Sequence, residues 1–150
     1  MTLCRFVKYN AVLRALGTKI RPLVKRYEEL CMGNNYATTL HVLCSAIVKL
    51  GKVVPVSTVY RAPGGALPAS FWCKQPEGVQ GGMELAFMST TTAKAEAMAY
   101  AKRAPGMLLF EIQQGFVARG ASISWLSQYP NEVCAAGSLP LFLPPCLHPP

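Results

Sequence analysis

Aspartate is absent from this chain of 150 residues, and its seven acids are all glutamates. That excludes any mechanism that needs an Asp, including Asp-based calcium loops and Ser-His-Asp triads. Histidine is nearly absent: His41 and His148 are too few for a His-rich metal site. None of the six cysteines stands in a Cys-x-x-Cys pair, so no zinc site is expected. No apolar run reaches the about 18 residues of a membrane span. A secretory signal needs an unbroken apolar stretch near the start, and Arg5, Lys8, Asn10 and Arg14 interrupt Met1–Leu16. These absences leave the compartment open, with an intracellular one favoured, and no metal or membrane span is expected. They favour free, mostly buried thiols over a disulfide framework.

What the chain does have is apolar residues, 51% of the total against 15% charged. A core is therefore available, and the length suits one domain. Lys and Arg number 15 against seven acids, giving +8, and residues 1–27 alone carry +7. Those seven charges are Arg5, Lys8, Arg14, Lys19, Arg21, Lys25 and Arg26. A transit peptide, a nucleic-acid arm and a membrane-surface helix are sharp readings of such a segment, and a solvated basic helix is the plain one. No nucleic-acid motif follows it, so nucleic acid is not an expected partner.

Along the chain, the spacing predicts short helices over 10–16 and 23–30, with Pro22 at an early position. A core helix is expected over Tyr36–Leu50, with Leu40, Leu43, Cys44, Ile47 and Val48 on one face and Gly51 as its stop. A β run follows at Ser57–Arg61, ended by Pro63-Gly64-Gly65. Residues 67–72 read as one helical turn, 75–82 as a loop and Met83–Ser89 as a strand. Thr91 or Thr92 caps a helix over Ala93–Arg103. Met107–Ile112 and Ala121–Leu126 read as strands. Helices first, then strands with one crossing helix, indicate an α+β fold. Residues 133–150 carry no charge and five prolines, which reads as a loosely packed tail.

Arg61 closes a strand, Ser89-Thr90-Thr91 closes an apolar one, and Glu132 follows Tyr129-Pro130-Asn131. Each is common alone; together, in that order, they are more specific. With Val59-Tyr60, Ala86-Phe87-Met88, Ile123–Gln128 and the glycines Gly81-Gly82, they resemble the arginine-specific mono-ADP-ribosyltransferases. That is the Arg-Ser-Glu class with the cholera-toxin-like fold. Gly33–Leu40 resembles the helix entry that precedes the first strand in a subgroup of these domains. The resemblance spans roughly residues 9–132 and implies a split two-sheet core behind N-terminal helices. It sets a domain over 1–132 and a Pro-rich tail over 133–150, truncated or divergent relative to the family.

The resemblance also implies a chemistry, the transfer of ADP-ribose from NAD, or NADP, to an arginine of an acceptor protein. Arg61 would bind a phosphate of the dinucleotide. Ser89 would bind the nicotinamide-side ribose and orient the catalytic glutamate, and Thr90 would support that strand end. A carboxylate would stabilise the oxocarbenium-like transition state. Phe87, Trp72 and Trp125 are candidates to stack on nicotinamide, or else core residues.

The family's third motif is Glu-x-Glu, and here it reads Glu132-Val133-Cys134. Glu132, the acceptor-side glutamate, is present. Cys134 occupies the position of the second, ribose-contacting glutamate. A thiol with a pKa of about 8.5 is mostly neutral at pH 7 and replaces a carboxylate poorly. Two other readings follow: an ADP-ribosyltransferase-like pseudoenzyme that binds NAD or a protein partner, and a basic nucleic-acid-binding module.

Overall fold

The computed structural model describes residues 2–16, 18–73, 81–82, 84–103, 106–115, 119–126 and 134–137, with the backbone alone for 2–4 and 134–137. Three helices come first. Thr2–Ala15 (α1) contains no proline or glycine, and Arg21–Cys31 (α2) carries Pro22 in its first turn, where a missing N–H costs nothing. α2 ends where Met32 turns left-handed at φ 49° and donates its amide to Glu28 O at 3.0 Å. Asn34 and Asn35 then accept the amides of Tyr36 and Ala37 at 3.0 and 3.2 Å, which organises the entry to Ala37–Gly51 (α3). The basic N-terminal segment is thus two helices packed on each other.

α3 buries Leu40 and Ile47, two of the positions expected to face the core. Gly51 is its last residue, and its role is not that of a left-handed stop, since the cap Lys52 has φ −69°. A Cβ at Gly51 would stand 3.3 Å from Gly120 O, so glycine here lets the helix end approach the segment entering Ala121–Ser122 (β4).

The remaining elements are Thr58–Arg61 (β1), Ala69–Trp72 (α4), Met88–Thr91 (β2), Lys94–Arg103 (α5), Phe110–Gln113 (β3) and Cys134–Gly137 (β5). All five described strands join one antiparallel sheet in the order β3-β1-β2-β5-β4. The mixed helix and sheet content is the α+β class expected. The described strands do not divide into two sheets, but their ladder is uneven. β1 and β3 share four register pairs and β2 and β5 share four, whereas β1 meets β2 through Tyr60 and Thr91 alone. A narrow seam therefore runs between β1 and β2.

Several expected boundaries moved. The strand expected at Met83–Ser89 is laddered only from Met88 and continues to Thr91. The run expected over Ala121–Leu126 pairs for two residues and then turns, with Leu126 N bonded to Ile123 O at 2.9 Å. The sheet includes a strand beyond residue 132, because β5 lies between β2 and β4. It carries no charged residue, as suits a strand paired on both sides.

The core forms two clusters. Ala11, Val12, Cys31, Leu40, Ile47, Phe87 and Ala121 pack where the helices meet the sheet; Val59, Met88 and Ile112 pack along β1, β2 and β3. The chain steps from one to the other between Phe87 and Met88. Among the described residues, no helix is long and apolar enough to cross a membrane. The described thiols are free: Cys31 is buried, Cys44 half-buried and Cys73 exposed, so burial is less general than expected.

Candidate functional site

The site begins on α1. Asn10 is 4% exposed and faces Phe87, accepting its amide at 3.0 Å and donating to its carbonyl at 3.4 Å. One side chain thus supplies both bonds that a strand neighbour would supply. One turn later, Arg14 grips Glu84 with two bonds, Nε to Oε1 at 3.0 Å and Nη2 to Oε2 at 2.9 Å. Glu84 Oε1 also accepts the Ala86 amide at 3.0 Å. The lead-in 84–87 is therefore held by α1 side chains rather than by a ladder, and it delivers β2 at a fixed place.

β2 then presents Ser89, exposed, and Thr90, buried. Arg61, at the end of β1, donates from Nη1 to the Ser89 carbonyl at 3.0 Å, bridging the narrow seam beside the Tyr60–Thr91 pair. Thr91 Oγ1 accepts the Ala93 amide at 3.1 Å, a turn that leads into α5, whose first bonds run to the Ala93 carbonyl.

These elements enclose a cavity of about 430 Å³. Arg61, Ser89, Thr90 and Thr91 line it, so three residues expected from the sequence to handle NAD, Arg61, Ser89 and Thr90, share one concave site. Phe87 also lines it and is buried. Of the other stacking candidates, Trp125 is 71% exposed, and Trp72 packs edge-on against Phe71 with ring centroids 5.1 Å apart; neither reaches the cavity. Glu132 lies outside the described residues, and of Cys134 the backbone alone is described, opposite Thr91 in the register. That places position 134 directly across from a strand end that lines the cavity.

Positive charge predominates where Arg14 and Arg61 meet Glu84. Burial lowers the Arg61 pKa and the Arg14 charge lowers it further, while Glu84 opposes both; the guanidinium stays protonated regardless. Burial alone would raise the Glu84 carboxyl. Its bonds from Arg14 and the Ala86 amide, with the charges of Arg14 and Arg61, outweigh burial and hold it below its ordinary value. Two guanidiniums thus share one carboxylate at this wall, which leaves a net positive charge for an anion such as a phosphate.

Sequence reasoning missed four contributors: Asn10, Arg14, Glu84 and Glu96. The first two had a detectable signature, a polar residue amid the apolar positions of a helix and a basic one four residues on, hence on the same face. Glu84 and Glu96 had none, since one glutamate in a lead-in and another in a first helical turn are ordinary. Among the described residues, no group of three or more His, Cys or Glu side chains is placed to hold a metal ion. No protein-family model matches this chain, and neither does any curated protein or solved structure.

Proposed function

We propose that this cavity binds NAD and that the chain is an NAD-dependent protein-arginine ADP-ribosyltransferase with a variant of that family's split core. The observation that supports this most is the convergence of Arg61, Ser89 and Thr90, singled out in sequence and separated by up to 29 residues, on one cavity wall. The narrow β1–β2 seam is compatible with a core in which two sheets splay apart. In the reaction, a nitrogen of the acceptor guanidinium bonds to the anomeric carbon of the nicotinamide ribose. The bond from that carbon to nicotinamide breaks, and its electron pair leaves with nicotinamide. Glu132 takes the proton lost by the guanidinium. Arg61 holds the diphosphate, and Ser89 orients the ribose. NADP is a possible second donor on the family resemblance.

Cys134 favours a second reading, in which NAD is bound without efficient transfer. A neutral thiol cannot stabilise a ribosyl cation as a carboxylate does, and losing such a group costs about 10²–10³-fold in rate. The test is transfer of labelled ADP-ribose from NAD to an arginine-rich acceptor. The transferase reading expects measurable transfer by the wild type, lost in Arg61→Ala and Glu132→Ala, and a gain of about 10²-fold in Cys134→Glu. NAD binding with no transfer in either the wild type or Cys134→Glu would support the second reading.

A further inference from the structure

Part of the cavity lining differs chemically from the arginines. α5 supplies Glu96, Ala97 and Tyr100, positions that lie on one helical face, and α1 adds Phe6 and Val7. Glu96 is the one carboxylate among the described lining residues. Its place in the first turn of α5 accounts for its acidity there, since that end of a helix favours negative charge. It does not account for a carboxylate turned to a cavity. Glu84 and Glu111 are each paired with a cation, Arg14 at 2.9 Å and Lys94 at 3.3 Å. The Glu96 carboxylate has no hydrogen bond or ion pair among the described residues.

We propose that Glu96 is a specificity-determining residue that selects a ribose with both of its hydroxyls free and rejects one carrying a 2′-phosphate. This rests on the reading of the cavity as a dinucleotide site. The argument is one of charge placement. Arg61 satisfies the diphosphate, and the apolar and aromatic groups Phe6, Val7 and Tyr100 suit a base. A half-buried carboxylate beside them accepts hydrogen bonds from a cis-diol, which has two donors to give. A phosphate at the 2′ position has none to give when ionised, and it brings like charge to a partly desolvated carboxylate. A carboxylate on the ribose hydroxyls serves this discrimination in unrelated dinucleotide folds, for the same physical reason. The cavity therefore takes NAD in preference to NADP.

The experiment is equilibrium titration of the full chain with NAD and with NADP, for the wild type, Glu96→Gln and Glu96→Ala. Thermal unfolding of each variant verifies that it is folded. The wild type should bind NAD at least about tenfold more tightly than NADP, as expected for bonds to a charged acceptor. Glu96→Gln keeps the shape and removes the charge, and it should bring the two affinities within about threefold of each other, chiefly by strengthening NADP. Glu96→Ala should do the same while weakening NAD. NAD binding with an unchanged ratio in both variants would overturn the role of Glu96 and leave the dinucleotide reading standing. Binding of neither dinucleotide by the wild type would overturn both.

Discussion

Asn10 decides more than its single side chain suggests. The Phe87 amide and carbonyl sit in a buried setting with no strand beside them, and Asn10 completes both. A buried backbone group without a partner costs about 1–3 kcal/mol. Asn10→Ala removes two partners, so a loss of at least about 2 kcal/mol is expected, read as a fall in the urea midpoint with the slope unchanged. A loss below about 0.5 kcal/mol would mean that the segment repairs its bonds another way. Cys31 illustrates the opposite case. Burial raises its thiol pKa against the charge of Lys8, and its Sγ lies 3.6 Å from the Lys8 carbonyl, so it is an inert packing residue.

At the scale of elements, the segment 84–87 is the joint on which the site depends, and its ion pair makes that joint sensitive to acid. The Glu84 carboxyl is held below its ordinary value in the folded chain, so the ionised form stabilises the fold. That contribution is complete above the unfolded value of about 4.3 and is lost as pH falls through the lower folded value. Because the pair is partly exposed, Glu84→Gln should cost roughly 1 kcal/mol at neutral pH. The cost should shrink as pH falls from about 5 towards 3, measured by denaturation at each pH. A cost that holds constant across that range would show that the pair contributes through packing rather than charge.

The same joint explains which elements were legible in the sequence. α3 and α5 were, because apolar spacing, a threonine at the entry to α5 and terminal breakers agree locally. β1 was, because its β-branched and aromatic run stands alone between turns. The Met83–Ser89 strand was read too early because residues 84–87 look like strand in composition, yet their partners are α1 side chains, 70 to 77 residues away in sequence. β5 was missed because Ala135, Ala136 and Gly137 have little strand propensity; pairing on both sides, with β2 and β4, makes the strand. Arg61, Ser89 and Thr90 were singled out through their order along the chain, and they line one cavity. Arg14, Glu84 and Glu96 were not singled out, because their meaning lies in which surfaces tertiary packing brings together.

On the scale of the whole molecule, the basic N-terminus is part of the domain rather than an arm. Arg14 is neutralised by Glu84, Lys25 lies 3.8 Å from Glu29, and α1 supplies one wall of the cavity. The net charge of +8 is thus largely spread over helical surface, with two arginines, Arg14 and Arg61, turned to the site. The scarcity of acids matters more. Glu96 lines the cavity, and position 134, a cysteine, pairs with Thr91 at the end of β2. On the proposed reading, Arg61 receives an anionic ligand, and few carboxylates are at hand to stabilise a developing cation.

The claim that carries the rest is that this cavity binds NAD through Arg61 and Ser89. Calorimetric titration of the wild type, Arg61→Ala and Ser89→Ala with NAD tests it without requiring turnover. The wild type should show saturable binding, Arg61→Ala should weaken it by at least about tenfold, and Ser89→Ala should weaken it less. No binding by the folded wild type, or binding that neither substitution changes, would contradict the account.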